Sequence, residues 1–218
     1  MNFILTTYNR PEYLAQSLES LKASPFNKED VLWLFDDAST NPDTISILNS
    51  FAIPDCGGIH LVQTKENVGC DLNSFHALVS VYAHTKDPFI FMAETDGIYL
   101  PGWLDFLRAG RDLVEKDKGI GALSLFNTKS HNITGEYNND FHTKKTLGGF
   151  ASLINAGDLR GINPNKAPFN WDWELCERYK QKGLKLLCSK NTYVQHIGAH
   201  GSHSSGAGHD VGINEIAN

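Results

Sequence analysis

Phe89-Ile90-Phe91-Met92-Ala93-Glu94-Thr95-Asp96 is an apolar pentad that ends abruptly in two carboxylates flanking a threonine. A short, continuous apolar run with a polar boundary reads as a strand buried on both faces, the kind found in parallel sheets. The same pattern recurs on the N-terminal side. Residues 3–5 are apolar and run into Thr6-Thr7-Tyr8-Asn9-Arg10, and residues 31–35 run into Asp36-Asp37-Ala38-Ser39-Thr40. Residues 59–63 form a third strand candidate, followed by Glu66-Asn67-Val68-Gly69. Helical periodicity fills the intervals. Pro11 opens one helix, with Leu14, Leu18 and Leu21 on a stripe and Pro25 beyond its end. Residues 44–51 read as a short helix, and Leu72, Phe75, His76, Val79 and Tyr82 read as one face of a longer one. Trp103, Leu107 and Val114 mark the next. This β-α-β-α-β-α-β succession predicts an α/β domain with a mostly parallel central sheet flanked by helices.

Beyond Gly119 the pattern loosens. Residues 120–126 and 147–155 are strand candidates, and the polar stretch 127–145 reads as a loop or hairpin, a small antiparallel element on the second half. Trp171 to Lys182 reads as a helix closed by Gly183. Residues 198–208 are rich in Gly, Ser and His. With no repeat, linker or composition break, the 218 residues read as a single domain.

Composition narrows the function classes. Nineteen Lys and Arg against 25 Asp and Glu give a net charge of −6, so no basic surplus serves generic binding to a nucleic-acid backbone. The longest apolar runs are far shorter than the ~20 residues a membrane helix needs. The apolar start breaks at Thr6 and Thr7 without a basic leader, which argues against a signal peptide and for a cytoplasmic protein. Cys56, Cys70, Cys176 and Cys188 lie far apart with no C-x-x-C pair, the pattern of free thiols in a reducing compartment.

Ligands of open parallel sheets sit beyond the carboxyl ends of the strands, where all four polar clusters fall. Thr6-Thr7-Tyr8-Asn9-Arg10 suits either a nucleobase or phosphate at a helix N-terminus or a plain cap. A carboxylate of Asp36-Asp37 can accept from an imide N–H or form an Asx turn with Ser39. Glu66-Asn67-Val68-Gly69, with Asn73 a turn further on, can approach a ligand or simply cap the helix. Glu94 and Asp96 can converge on a hard divalent cation that bridges a diphosphate, or pair structurally.

Taken together, these four motifs resemble the nucleotide-sugar half of the family 2 glycosyltransferases, which have the Rossmann-like GT-A fold. Gly97-Ile98-Tyr99-Leu100-Pro101-Gly102-Trp103-Leu104 also resembles the segment after that family's acidic DxD motif. The resemblance spans about residues 3–198. It implies a nucleotide-sugar half over 1–102, an acceptor half over 103–197 and a Gly/Ser/His tail over 198–218. By that resemblance Thr6 and Tyr8 line a nucleobase pocket, Asp37 hydrogen-bonds the base, and Asn67 approaches nucleotide and sugar. Arg10, Glu94, Thr95 and Asp96 complete the donor site, with Asp96 on the metal. Glu94 stands where the family has Asp; one methylene longer, it suits ribose or a metal-bound water.

Trp171-Asp172-Trp173-Glu174-Leu175-Cys176-Glu177-Arg178 resembles the family's E-D-x-x-L-x-x-R segment, with Trp171 in place of Glu. This puts Asp172 on the catalytic base, with Glu174 as a reserve; the other reading of Asp172 is an N-cap. Gly148 and Gly149 would let backbone approach the acceptor, and Trp171 and Trp173 would stack on a sugar, or anchor the core in the case of Trp173. His196, in Tyr193-Val194-Gln195-His196-Ile197-Gly198, matches the family's metal-binding His. Imidazole beside carboxylate favours manganese over magnesium. His200 and His203 would meet the donor phosphates from the tail. The implied activity is metal-assisted, inverting transfer from a nucleoside-diphosphate sugar, a UDP-sugar first, to a hydroxyl of a saccharide, lipid-linked saccharide, protein or modified base, the charge disfavouring the last. The alternatives are a sugar-1-phosphate nucleotidyltransferase, which would want a more basic loop than Tyr8-Asn9-Arg10-Pro11-Glu12, and a silent nucleotide-sugar-binding module.

Overall fold

A computed structural model of the protein describes residues 1–166, 169–198 and 210–213. The N-terminal half follows the predicted alternation: β1 (Asn2–Thr7), α1 (Pro11–Lys22), β2 (Val31–Asp36), α2 (Pro42–Ser50), β3 (Gly58–Gln63), α3 (Cys70–Thr85) and β4 (Phe89–Glu94). The short β5 (Gly97–Tyr99) and α4 (Trp103–Lys116) lead to β6 (Ile120–Ser124). The hairpin β7 (Ile133–Glu136) and β8 (Phe141–Lys144) precedes β9 (Ser152–Asn155), α5 (Trp171–Gln181), β10 (Lys185–Ser189) and β11 (Val194–His196).

Nine strands form one sheet in the order β3-β2-β1-β4-β9-β6-β10-β8-β7. Strands β3, β2, β1 and β4 are parallel, with Thr6 of β1 opposite both Phe35 and Glu94. β9 runs antiparallel to both β4 and β6, so β6 and β10 resume the direction of β4. The carboxyl ends of β1, β2 and β4 therefore open on the same edge. β8 and β7 close the far edge as the antiparallel hairpin anticipated for residues 127–145. A separate two-stranded ribbon joins β5 to β11.

Each face of the sheet carries its own apolar core. Leu14, Leu18 and Leu21 of α1 and Trp103, Leu104 and Leu107 of α4 pack with Phe3, Leu5 and Phe91 on one side. Phe75, Leu78 and Val81 of α3 and Leu175 and Tyr179 of α5 pack with Ile4, Phe35 and Ile90 on the other. α2 begins as its sequence dictates, with Asn41 accepting from the N–H groups of Asp43 and Thr44 ahead of Pro42. The buried face of α3 differs from the expectation. His76 and Val79 are exposed, and Asn73, Ser74, Ala77, Leu78 and Val81 are buried instead. The buried stripe runs through Ser74, Phe75, Leu78 and Val81, so the helix is turned by about one position from the stripe read in the sequence. The strand read over 147–155 also shortens, to Ser152–Asn155.

No helix among the described residues is long and apolar enough to cross a membrane. All four cysteines are free, and Cys56, Cys176 and Cys188 are buried.

Trp103 is the keystone of the first core. Its ring lies 6.0 Å from Phe3, 5.5 Å from Phe91 and 4.7 Å from Tyr99, and its indole N–H donates to Ser24 Oγ at 2.7 Å. Trp103→Ala is expected to destabilise the fold by about 3–5 kcal/mol, measured by denaturant unfolding with an unchanged slope. A loss below about 1 kcal/mol would show that the cluster collapses to refill the space.

Candidate active site

The carboxyl ends of β1, β2 and β4 wall a cavity of about 200 Å³. Its lining contains every residue expected on the donor side: Thr6, Tyr8, Arg10, Asp37, Asn67, Glu94, Thr95 and Asp96. Thr7, Gly69, Cys70 and Asn73 complete the wall. Thr7, Gly69 and Asn73 belong to the polar clusters read from the sequence, without a role of their own there, and Cys70 is the one that carried no such signal.

Two polar knots shape this rim. Asn9, at φ 45°, accepts from the N–H groups of Thr40 and Asn41 at 2.8 Å each, and its own N–H donates to Ser39 Oγ. That ties the turn after β1 to the turn after β2. Asp37, buried, accepts from Val68 N–H and Gly69 N–H at 2.9 Å and from Asn67 Nδ2 at 2.9 Å, while the Thr64 hydroxyl donates to Glu66 O at 2.9 Å. Its carboxylate thus holds the turn that carries Asn67. Asp36, fully buried, accepts from Ser39 N–H and Gln63 Nε2, the Asx-turn alternative read from the sequence.

Asp96 lies at the opposite end of the cavity. The β5–β11 ribbon sets His196 opposite Gly97, and Ile197 N–H donates to the backbone carbonyl of Asp96, so the chain returns after a hundred residues to the same residue. His196 Nε2 is 3.5 Å from Asp96 Oδ2, and Arg10 Nη1 is 2.8 Å from the same oxygen. The Arg10 guanidinium also lies 4.4 Å over the Tyr13 ring. Burial by itself raises the Asp96 carboxyl, but the hydrogen bond and charge of His196 and the charge of Arg10 outweigh it and hold the group below the usual aspartate value. Asp96 Oδ1 is buried with no hydrogen-bond partner among the described residues. This orphaned oxygen and the neighbouring imidazole suit a divalent cation, with a donor set of oxygen and nitrogen. Among the described residues no three His, Cys, Asp or Glu side chains gather to hold one, so further ligands would come from a bound diphosphate or water.

Glu94 feels the charges of both Asp96 and Asp172. Burial pushes its carboxyl up to about 8, and the charges of Asp96, Asp172 and Asp71 add to the shift against Arg10.

Asp172 occupies the first turn of α5, where its Oδ2 accepts from Gly149 N–H at 2.9 Å and its Oδ1 from Trp173 N–H at 2.8 Å. Burial raises its carboxyl against those two hydrogen bonds. Glu174 points elsewhere and pairs with Arg178 at 3.0 Å. The two tryptophans divide. Trp171 is 3% exposed, in the second core, with its ring against Gly149, so it is placed to shape the Gly149 backbone rather than to stack on a sugar. Trp173 is 49% exposed, and its ring lies 6.4 Å from that of His131, whose Nε2 borders Gly148. His200 and His203 lie outside the described residues. Of the tail, Gly198 sits against Asp96 and Arg10, while Ile213 N–H donates to Asn127 O beside the hairpin.

The sheet topology and the cavity at its strand ends define the GT-A class of glycosyltransferase folds. Residues 3–107, the N-terminal half of the sheet with its helices, match the family model Glycosyl transferase family 2. The structure resembles that of S. aureus TarS residues 1–349 in complex with UDP-GlcNAc, with a TM-score of 0.66 at 16% identity over 95% of this chain and 61% of that one. It also resembles the mannosyltransferase PcManGT from Pyrobaculum calidifontis in complex with GDP-Man and Mn2+, with a TM-score of 0.60 at 17% identity over 85% of this chain and 53% of that one. The chain thus spans between about half and three fifths of these proteins. No curated protein matches the sequence.

A Cβ on Gly149 would stand 2.7 Å from the Trp171 ring. Gly149→Ala is therefore expected to cost about 1–3 kcal/mol of stability through overpacking. It should also shift tryptophan emission as the Trp171 ring moves. Unchanged unfolding and emission would show that the contact yields without cost.

Proposed function

We propose that the protein transfers a sugar from a nucleoside-diphosphate sugar, a UDP-sugar first, to a hydroxyl acceptor with inversion at the anomeric carbon. The observation that carries this reading is the approach of Asp172 to the cavity. It stands within electrostatic reach of Glu94 although the two belong to different halves of the chain. Glu94 lines the donor cavity, so a carboxylate of the acceptor half lies near that cavity's wall. In this reading Asp172 accepts the proton of the acceptor hydroxyl as that oxygen bonds to the anomeric carbon. The bond from that carbon to the diphosphate oxygen breaks on the opposite face, which gives inversion. Gly149 N–H and Trp173 N–H fix the carboxylate, and the exposed Trp173 ring offers a face for an acceptor sugar. Arg10 sits where the leaving diphosphate gathers charge. Asp96 and His196 are the residues that would hold a divalent cation, manganese in preference to magnesium, and such a cation neutralises diphosphate charge when bound.

Asp172→Asn is expected to lower turnover by about 10²–10⁴-fold while binding of UDP persists. Full turnover in that variant would remove Asp172 from the base role. The pH profile carries a second check. The active form is the ionised carboxylate, and burial raises its pKa. Activity should therefore fall on acidification at a higher pH than the ~3.9 of an ordinary aspartate. Donor hydrolysis across UDP-, GDP- and other nucleotide sugars, with and without Mn2+, tests the donor class and the metal together. No binding or turnover of any of them would overturn the reading.

A further inference from the structure

The Gly148-Gly149 pair borders two functional groups that come from different elements. Gly149 N–H donates to Asp172 Oδ2 at 2.9 Å, and His131 Nε2 lies 3.5 Å from where a Cβ on Gly148 would stand. Consecutive Cα atoms are about 3.8 Å apart, so this imidazole and this carboxylate stand at most about 10 Å from each other. A single sugar residue covers that distance with a hydrogen bond at each end.

The imidazole is held in place. Its Nδ1 lies 2.9 Å from Thr146 Oγ1. Its loop is tied by Lys144 Nζ, which donates to Thr128 O at 2.7 Å, and by the bridge from Thr128 to Gly212. Burial and the Lys144 charge hold the imidazole below the ordinary histidine value, so the ring is neutral near neutrality. Nε2 has no hydrogen bond among the described residues. The Thr146 hydroxyl serves either tautomer, so Nε2 can donate or accept, and a sugar hydroxyl can do the same.

Trp173 supplies a platform beside it. The residue is 49% exposed, and its ring lies 6.4 Å from the His131 ring at an interplanar angle of 47°. A flat base clamped between two rings needs them parallel and about 7 Å apart, two contact distances of roughly 3.5 Å. These rings are closer and tilted, so His131 borders the edge of the Trp173 platform. An apolar surface with a hydrogen-bonding group at its rim complements a pyranose, whose C–H face is apolar and whose hydroxyls lie around its edge.

We infer that the acceptor is a saccharide whose ring rests on Trp173 while a hydroxyl other than the attacking one bonds His131 Nε2, which makes His131 a specificity-determining residue. This rests on the transfer reading above and on Asp172 as its base.

Transfer from a nucleotide sugar that the full chain hydrolyses, to methyl and dodecyl glycosides of common hexoses and N-acetylhexosamines, tests this. Donor hydrolysis is the reference, because water needs no such subsite and the ratio cancels any loss of folded protein. The methyl and dodecyl arms separate a free saccharide from a lipid-linked one. His131→Ala should lower the ratio of transfer to hydrolysis on the order of 10-fold, through the acceptor KM, the effect of one lost hydrogen bond. His131→Gln, whose amide can replace Nε2, should restore most of it. An unchanged ratio in His131→Ala would overturn the inference. So would a His131→Gln ratio as low as that of His131→Ala, which marks packing alone. Hydrolysis without transfer to any glycoside would overturn the saccharide class. Absence of binding and hydrolysis for every nucleotide sugar would instead overturn the donor reading, and full turnover in Asp172→Asn the base.

Discussion

The buried carboxylate of Asp37 is the constraint on which the cleft depends. Strand β2 ends just before it, and three hydrogen bonds to it, from Asn67, Val68 and Gly69, draw the turn before α3 back across the sheet edge. That fixes where α3 starts, because Gly69, bonded to the same carboxylate, is the helix N-cap at φ 92°. With α3 placed, Asn73 and Cys70 fall into the cavity wall. Breaking a charged group out of such a network leaves several backbone N–H groups unpaired at once, so the cost is cooperative rather than that of one bond. Asn9 does the equivalent work between the first two strand ends with a neutral side chain.

The second half of the chain adds to this frame at two points. The ribbon of β5 and β11 brings His196 to Asp96, and the contact of Gly149 with Asp172 fixes the start of α5. Both use backbone approach. Gly198 lies so close to Asp96 and Arg10 that a Cβ there would clash with the carboxylate, and Gly149 has no room for one against Trp171. The cleft is therefore closed by glycine backbone at both seams, which lets main-chain groups reach carboxylates that bulkier residues would hold apart.

Much of this was legible in the sequence because parallel strands leave two independent marks. The apolar runs of β1, β2 and β4 locate the strands, and the polar clusters at their ends locate the site, so both marks had to agree. Asp96 and His196 came from the family resemblance, and the structure brings them within 3.5 Å. What escaped reading depends on long-range placement. β9, Ser152-Leu153-Ile154-Asn155, has nothing local to say that it inserts antiparallel between β4 and β6. The buried face of α3 was misread because His76 and Val79 fall at helical spacing from Leu72 and Phe75, while Leu78 and Val81 offer an overlapping stripe one position away. Trp171 and Trp173 lie on opposite faces of α5, and Trp171 is buried because it shares its face with Leu175, Cys176 and Tyr179.

The environment also assigns different work to three carboxylates that the sequence presents as equals. Asp96 has two cationic neighbours, Arg10 and His196, which hold it ionised against its own burial. Glu94, two residues away, is more deeply desolvated and faces Asp96, Asp172 and Asp71, so its carboxyl rises to about 8 and it favours the neutral form near neutrality. Asp172 is raised by burial but tied to two backbone N–H groups that favour its charge. Adjacent acids whose environments push them apart in this way can take opposite roles at one pH. A neutral Glu94 would remove a negative charge that both of the others feel, which lets Asp96 and Asp172 both remain anionic. Under the proposed reaction that is the required state: one anion for the cation side of the diphosphate, one for the acceptor proton, and a hydrogen-bond donor within electrostatic reach of both. The excess of acids that makes the whole chain −6 is thus, in part, the composition of this cleft.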